Sequence, residues 1–363
     1  MWPYAAVFVI LAFGAFTAGP LRAQVDKPHW IVLPAIILTI FIGLRVQVGG
    51  DWYVYLRIFA HCASLDPWSA MDVKVTDPAY GLLNWLVAQL GAGIWAVNLI
   101  CAAIFVFGLW SFCRMQTNPP LALLVAYPYV VIVVAMGYTR QSVALGLMMT
   151  AISEYQKGRI FRVVLLLIAA AAFHKSAVVV APLFAIAESK GRWRTFLIVG
   201  VTAALSYFLF LKHSVNDLID SYIIAKYNSA GALIRVAMNM VAAIIFFIYR
   251  KKIPFRPREY KLWFVFSALV VVMGLAYIYS PSSTAVDRIG LYLLPLQITI
   301  LSRIPDIYYE HRDMKLMLVT GVISYSLAVG VTWFLVGNTS WAWRPYRNYL
   351  WLPTHFVQSY HRR

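Results

Sequence analysis

The chain has 363 residues, 62% of them hydrophobic and 12% charged, far from the roughly 45–50% and 25% of a soluble domain. That composition excludes an ordinary soluble enzyme and predicts an all-α polytopic membrane bundle. It has room for about 11–13 transmembrane segments of the ~20 residues a bilayer core requires. The formal net charge of +17 does not indicate nucleic acid as a partner, because much of it lies in short loops between apolar runs, where Lys and Arg fix topology.

Apolar runs fall near residues 4–19, 30–44, 93–112, 119–137, 139–154, 160–173, 175–188, 194–212, 231–249, 261–280, 286–303 and 315–337. Little chain remains for a soluble module, so residues 1–363 are read as a single membrane domain. The start, Met1 to Phe16, lacks the basic n-region of a secretory signal and is read as a retained first helix. Asn118 before Pro119, and Asp77 before Pro78, have the pattern of helix caps followed by proline at the first helical position. Three cysteines without CxxC spacing, Cys62, Cys101 and Cys113, indicate neither a disulfide framework nor a zinc site.

Orientation follows from the basic loops. Lys157, Arg159 and Arg162, then Lys190, Arg192 and Arg194, then the run from Arg250 to Lys261, are short and positive and are assigned to the cytoplasm. Alternation then places residues 45–92, the 137–139 turn, a break at His174, the loops 213–230 and 281–286 and the tail 338–363 on the other face. Residues 78–90, about 20 Å of helix against a core of roughly 30 Å, are read as an interfacial or re-entrant helix within the external loop 45–92. A spanning helix there is the alternative, and it would move Arg45–Asp51 to the cytoplasm. The short runs 160–173 and 175–188 are read as a hairpin turning at His174, against the alternative of one long tilted helix.

Five polar clusters interrupt this hydrocarbon pattern, and ionisable groups in such places mark functional candidates. Arg45 precedes Gly49-Gly50-Asp51-Trp52-Tyr53-x-Tyr55, where a glycine pair, a carboxylate and aromatics suit a sugar; snorkelling and an aromatic belt explain them equally. Gly137-Tyr138-Thr139-Arg140-Gln141 sets an arginine at a helix start, and its planar fork suits phosphate oxygens. Phe173-His174-Lys175-Ser176 offers an imidazole that titrates near neutrality and a cation. Asp287-Arg288-x-x-x-Tyr292 reads as a site or as an intrahelical ion pair. Trp341-Ala342-Trp343-Arg344-Pro345-Tyr346-Arg347 reads as a lid or an interfacial anchor. Asp217 and Asp220 are read as a solvated face. Topology drawn from the cytoplasmic loops alone delivers Arg45, Asp51, Arg140, His174 and Arg288 to one membrane face.

These clusters, in this order, resemble the EpsG family of exopolysaccharide polymerases, relatives of Wzy-type O-antigen polymerases. The resemblance implies a glycosyltransferase of a metal-independent, GT-C-like branch in a bacterial inner membrane, with its active site facing the exterior. Its donor and acceptor would be oligosaccharides on undecaprenyl pyrophosphate in the bilayer, with a chain-length regulator as a further partner and no cofactor. The absence of DxD and HExxH agrees with this expectation. The roles expected are Arg140 and Arg288, with Arg45 and Lys175, on pyrophosphate, and His174 or Asp51 as the base. Trp52, Tyr55, Gln141, Tyr292, Trp343 and Tyr346 would hold sugar. A ligase delivering glycan to another acceptor, and a flippase for lipid-linked sugar, are the rival readings.

Overall fold

The computed structural model describes residues 1–17, 29–189, 231–279, 283–308 and 310–351. The apolar run 194–212, the acidic pair Asp217 and Asp220, the basic loop from Lys190 to Arg194, and the tail beyond Trp351 lie outside the described residues. Among the described residues the regular structure is helical, apart from one antiparallel bridge between Arg45 and Asn348.

The chain begins with α1 (Trp2–Thr17) and α2 (His29–Gly43), then a peripheral layer of α3 (Trp52–Ala63), α4 (Pro67–Ala70) and α5 (Pro78–Gln89). It continues with α6 (Ile94–Cys113), α7 (Pro119–Ala126), α8 (Thr139–Gln156), α9 (Ile160–Phe173) and α10 (Ala181–Glu188). The last four are α11 (Ala232–Tyr249), α12 (Pro257–Tyr279), α13 (Ser283–Arg303) and α14 (Arg312–Val336). Of these α6, α11, α12 and α14 are long and apolar enough to cross a membrane, and shorter apolar helices accompany them. The protein is a multi-pass membrane protein of all-α architecture. Large apolar side chains such as Phe13, Phe161 and Ile278 are exposed on the outside, where a bilayer provides the matching solvent.

The centre is the stretch from Pro119 to Ala135. After α7 the helix widens into a π-helix over Tyr127–Ala135, at the point where Pro128 lacks the N–H that a regular turn would use. Every residue from Leu121 to Met136 is buried. In lipid, apolar surface alone does not draw helices together, so close approach depends on small residues. The α6–α8 contact has them: a Cβ on Gly108 would collide with the Gly146 carbonyl, and one on Gly146 would come 2.6 Å from the Phe105 Cα.

The external layer leaves and rejoins the bundle at one end. Gly43, closing α2, packs against Leu99 and Ala102 early in α6, so residues 44–93 start and finish beside the same helix ends. The expected break at His174 is present: α9 stops at Phe173, His174 is extended at φ −157° and ψ 115°, and a 3-10 turn over Lys175–Val180 leads into α10. Basic groups collect at the opposite end. Glu154, near the end of α8, is paired with Lys157, Arg159 and Arg162, about 20 Å along an α-helix from Arg140.

Candidate active site

Five chain-distant segments meet in one open cavity of about 240 Å³ lined by Asp51, Tyr55, Tyr138, Arg140, Gln141, His174, Arg235, Asp287, Arg288 and Leu291. Each arrives at a helix end or a break, where the backbone can leave hydrocarbon. Asp51 is the N-cap of α3, and Arg140 and Gln141 stand in the first turn of α8. His174 is the break after α9, and Asp287 and Arg288 lie in the second turn of α13.

One wall is organised by Asp77. The sequence pattern casts it as a helix cap, yet its carboxylate makes no capping hydrogen bond to α5. It turns instead to the site, accepting from Arg140 Nη1 at 2.8 Å, His174 Nδ1 at 3.3 Å and the Lys175 amide at 3.1 Å. Thr76 Oγ1 accepts from the same Arg140 nitrogen at 3.2 Å. Burial alone would raise the Asp77 pKa, but the hydrogen bond and charge of His174, the charge of Arg140 and the Lys175 amide outweigh it and hold the carboxyl below its ordinary value. The Asp51 carboxyl goes the other way: burial pushes it up, against the opposing charges of Arg140 and Arg288. The Arg140 guanidinium also stands 5.9 Å from the Tyr55 ring centroid, within cation–π range.

The facing wall is built on Arg235, which sequence reasoning missed. It is only 2% exposed, and its guanidinium donates to the Tyr129 hydroxyl at 2.9 and 2.7 Å and to the Asp287 carbonyl at 3.0 Å. It is also ion-paired with the Asp287 carboxylate. Asp287 therefore pairs across helices, with Arg235. The available signal was a lone arginine four residues into the apolar run 231–249, a costly position without a purpose.

Several predicted site residues are brought to the cavity and several are not. Asp51, Tyr55, Arg140, Gln141, His174 and Arg288 line it. Arg45 does not: it is 1% exposed and donates to the carbonyls of Ile42, Val48 and Met136 and to Thr139 Oγ1. The guanidinium is occupied in holding the 44–49 turn against the end of the central helix. Trp52 is packed among Tyr55, Tyr80 and Val87. Lys175 joins the site through its backbone amide on Asp77. Tyr292 is buried, its hydroxyl 3.1 Å from Ser176 Oγ, tying α13 to the 3-10 turn.

The tail residues are structural neighbours of the site. Trp343 is buried beneath Gly137 and donates to the Ile132 carbonyl at 2.8 Å. Tyr346 stacks on Phe41 at 4.6 Å between centroids and donates to its carbonyl at 2.8 Å. The tail is zipped to the 44–49 turn by the Val46 amide on the Arg347 carbonyl at 3.0 Å and the Tyr349 amide on the Leu44 carbonyl at 2.9 Å. It is thus a brace under the 137–139 turn, not a free lid.

A constellation of arginines, an imidazole and carboxylates at one end of a helical membrane bundle agrees with the comparison of the whole chain. The family model described as the EpsG family matches residues 29–348. The chain belongs to the EpsG family. Membership gives it an exopolysaccharide polymerase-type function in a membrane, and the matched region takes in all the cavity residues. No curated protein and no solved structure matches the chain.

Proposed function

We propose that this EpsG-family protein lengthens a polysaccharide by transferring a growing glycan from undecaprenyl pyrophosphate to a lipid-linked repeat unit. The reaction takes place at the outer face of a bacterial inner membrane, in a GT-C-like active site. The observation that carries the proposal is the meeting of Arg140 and Arg288 with Asp51 and His174 around one cavity. Guanidinium forks bind phosphate oxygens in a bidentate manner and stay ionised, so charge developing on the leaving pyrophosphate is stabilised where it forms. His174 and Asp51 are the two groups able to take the proton of the acceptor hydroxyl. Tyr55 and Gln141 face the same space and are assigned to the sugar.

The reaction needs no metal ion in this reading, because the arginines supply the positive charge. Its support is that Asp77 and Asp287 are already committed to Arg140 and Arg235. The outward orientation is supported by the basic cluster around Glu154 at the far end of α8, since short positive loops stay in the cytoplasm.

The test is reconstitution of purified protein in liposomes with lipid-linked repeat units and nothing else. A ladder of lengthened products is expected, and Arg140→Ala should abolish it while leaving the protein folded. Near-normal chain lengths from Arg140→Ala would remove this residue from the mechanism. Product only on addition of a foreign acceptor would indicate a ligase, and lipid-linked sugar moved but not lengthened would indicate a flippase.

A further inference from the structure

Resting on the polymerase reading, the geometry points to Asp77 as a positioning residue that makes His174, rather than Asp51, the base for the acceptor hydroxyl. Asp77 is 4% exposed and has given up its capping role. Its Oδ2 lies 3.3 Å from His174 Nδ1. A carboxylate can only accept at that contact, so Nδ1 carries the proton and Nε2 is left with its lone pair. His174 lines the cavity, and Nε2 has no protein partner among the described residues.

The carboxylate that orients the ring is itself held in place. The Lys175 amide on Asp77 Oδ1 at 3.1 Å fixes the carboxylate to the backbone of the residue that follows His174, and the extended conformation of His174 turns its side chain out of the α9 register. Arg140 on the same Oδ2 at 2.8 Å joins the base to the phosphate-binding arm, so one carboxylate sets the distance between the two halves of the reaction. Asp51 has no such orienting partner among the described residues, and burial keeps its charged form disfavoured.

The step balances as follows. The acceptor oxygen forms a bond to the anomeric carbon of the donor sugar as its proton passes to His174 Nε2. The bond from that carbon to the pyrophosphate oxygen breaks, and its electron pair leaves with the lipid pyrophosphate between Arg140 and Arg288. Asp77 stays ionised and stabilises the imidazolium that forms, the duty of the carboxylate in an Asp–His pair.

Asp77→Asn keeps the shape but presents an amide that can reverse the tautomer. Its kcat should fall ~10²–10⁴-fold, the range of general-base and tautomer effects, with the KM for donor changed by less than about fivefold. The deciding measurement is a cycle with His174→Ala: once the imidazole is gone, Asp77→Asn should cost at least about tenfold less in kcat than it does in the wild type, what remains being its effect through Arg140. An equal cost in both backgrounds would mean that Asp77 acts only through Arg140 and would overturn the dyad. So would His174→Ala near wild-type rate. If Asp77→Asn does not fold, Asp77→Glu carries the same cycle, since a displaced carboxylate lowers kcat further where His174 is present than where it is absent. Wild-type protein that makes no ladder would instead overturn the polymerase reading itself.

Discussion

Arg45 donates to three carbonyls and a hydroxyl in the buried junction between the 44–49 turn and Met136, whereas Arg288 is exposed at the cavity. Truncating them should therefore fail in different ways. Each buried acceptor left unmade costs about 1–3 kcal/mol, so Arg45→Ala should lower thermal stability markedly and reduce the yield of folded protein. Arg288→Ala should keep its melting temperature within a few degrees and lose donor affinity and polymer. Thermal unfolding in detergent, followed by size exclusion, separates the two. A pH effect belongs to this scale as well. The folded pKa of Asp51 is raised above its ordinary 3.8, so between that value and the raised one the folded state binds more protons than the unfolded. Stability then falls as pH rises through this window. Asp51→Asn should flatten that part of the stability profile, as measured by melting temperature against pH; an unchanged slope would contradict the assignment.

Two helices and a turn decide whether the cavity walls stand at the right distance. Gly49 has φ +107°, and a Cβ there would strike the Met136 carbonyl, so the turn that presents Asp51 depends on a left-handed backbone and close contact. On the other side, α6 and α8 touch through Gly108 and Gly146, and α8 carries Arg140. Gly146→Val should force these helices apart. Destabilisation of at least 1–3 kcal/mol is expected for overpacking, read as lost heat resistance, together with weakened donor binding because Arg140 moves with its helix. The break at His174 was legible from sequence because two apolar runs, each too short to span, flank a polar pair. The roles of Trp343 and Tyr346 were not. An aromatic near a membrane surface has the same signature whether it anchors to lipid, binds sugar or braces a turn, and here the contacts with Ile132 and Phe41 make it a brace.

At the scale of the whole molecule the site lies at one end of the bundle and the basic cluster around Glu154 at the other. The three native cysteines are buried, which leaves a low background for thiol labelling. Ser64→Cys, in the exposed turn after α3, should react with a membrane-impermeant maleimide in intact cells, and Lys251→Cys should react only after permeabilisation. The reverse pattern would invert the topology and place the cavity towards the cytosol. Sequence by itself determined the helical membrane class, because hydrocarbon tolerates so few polar groups that composition is decisive. It also marked most cavity residues, since a charge kept in an apolar run stands out. Only the tertiary structure decided which of those charges face a shared space. The charge on Arg45, Arg140 and Arg235 is the same, and what distinguishes them is whether neighbouring carbonyls, a carboxylate or an open cavity meets the guanidinium. Asp77 shows the same limit: its local pattern satisfied a helix cap, and the partners that turned it into part of the site come from segments 63 and 97 residues away.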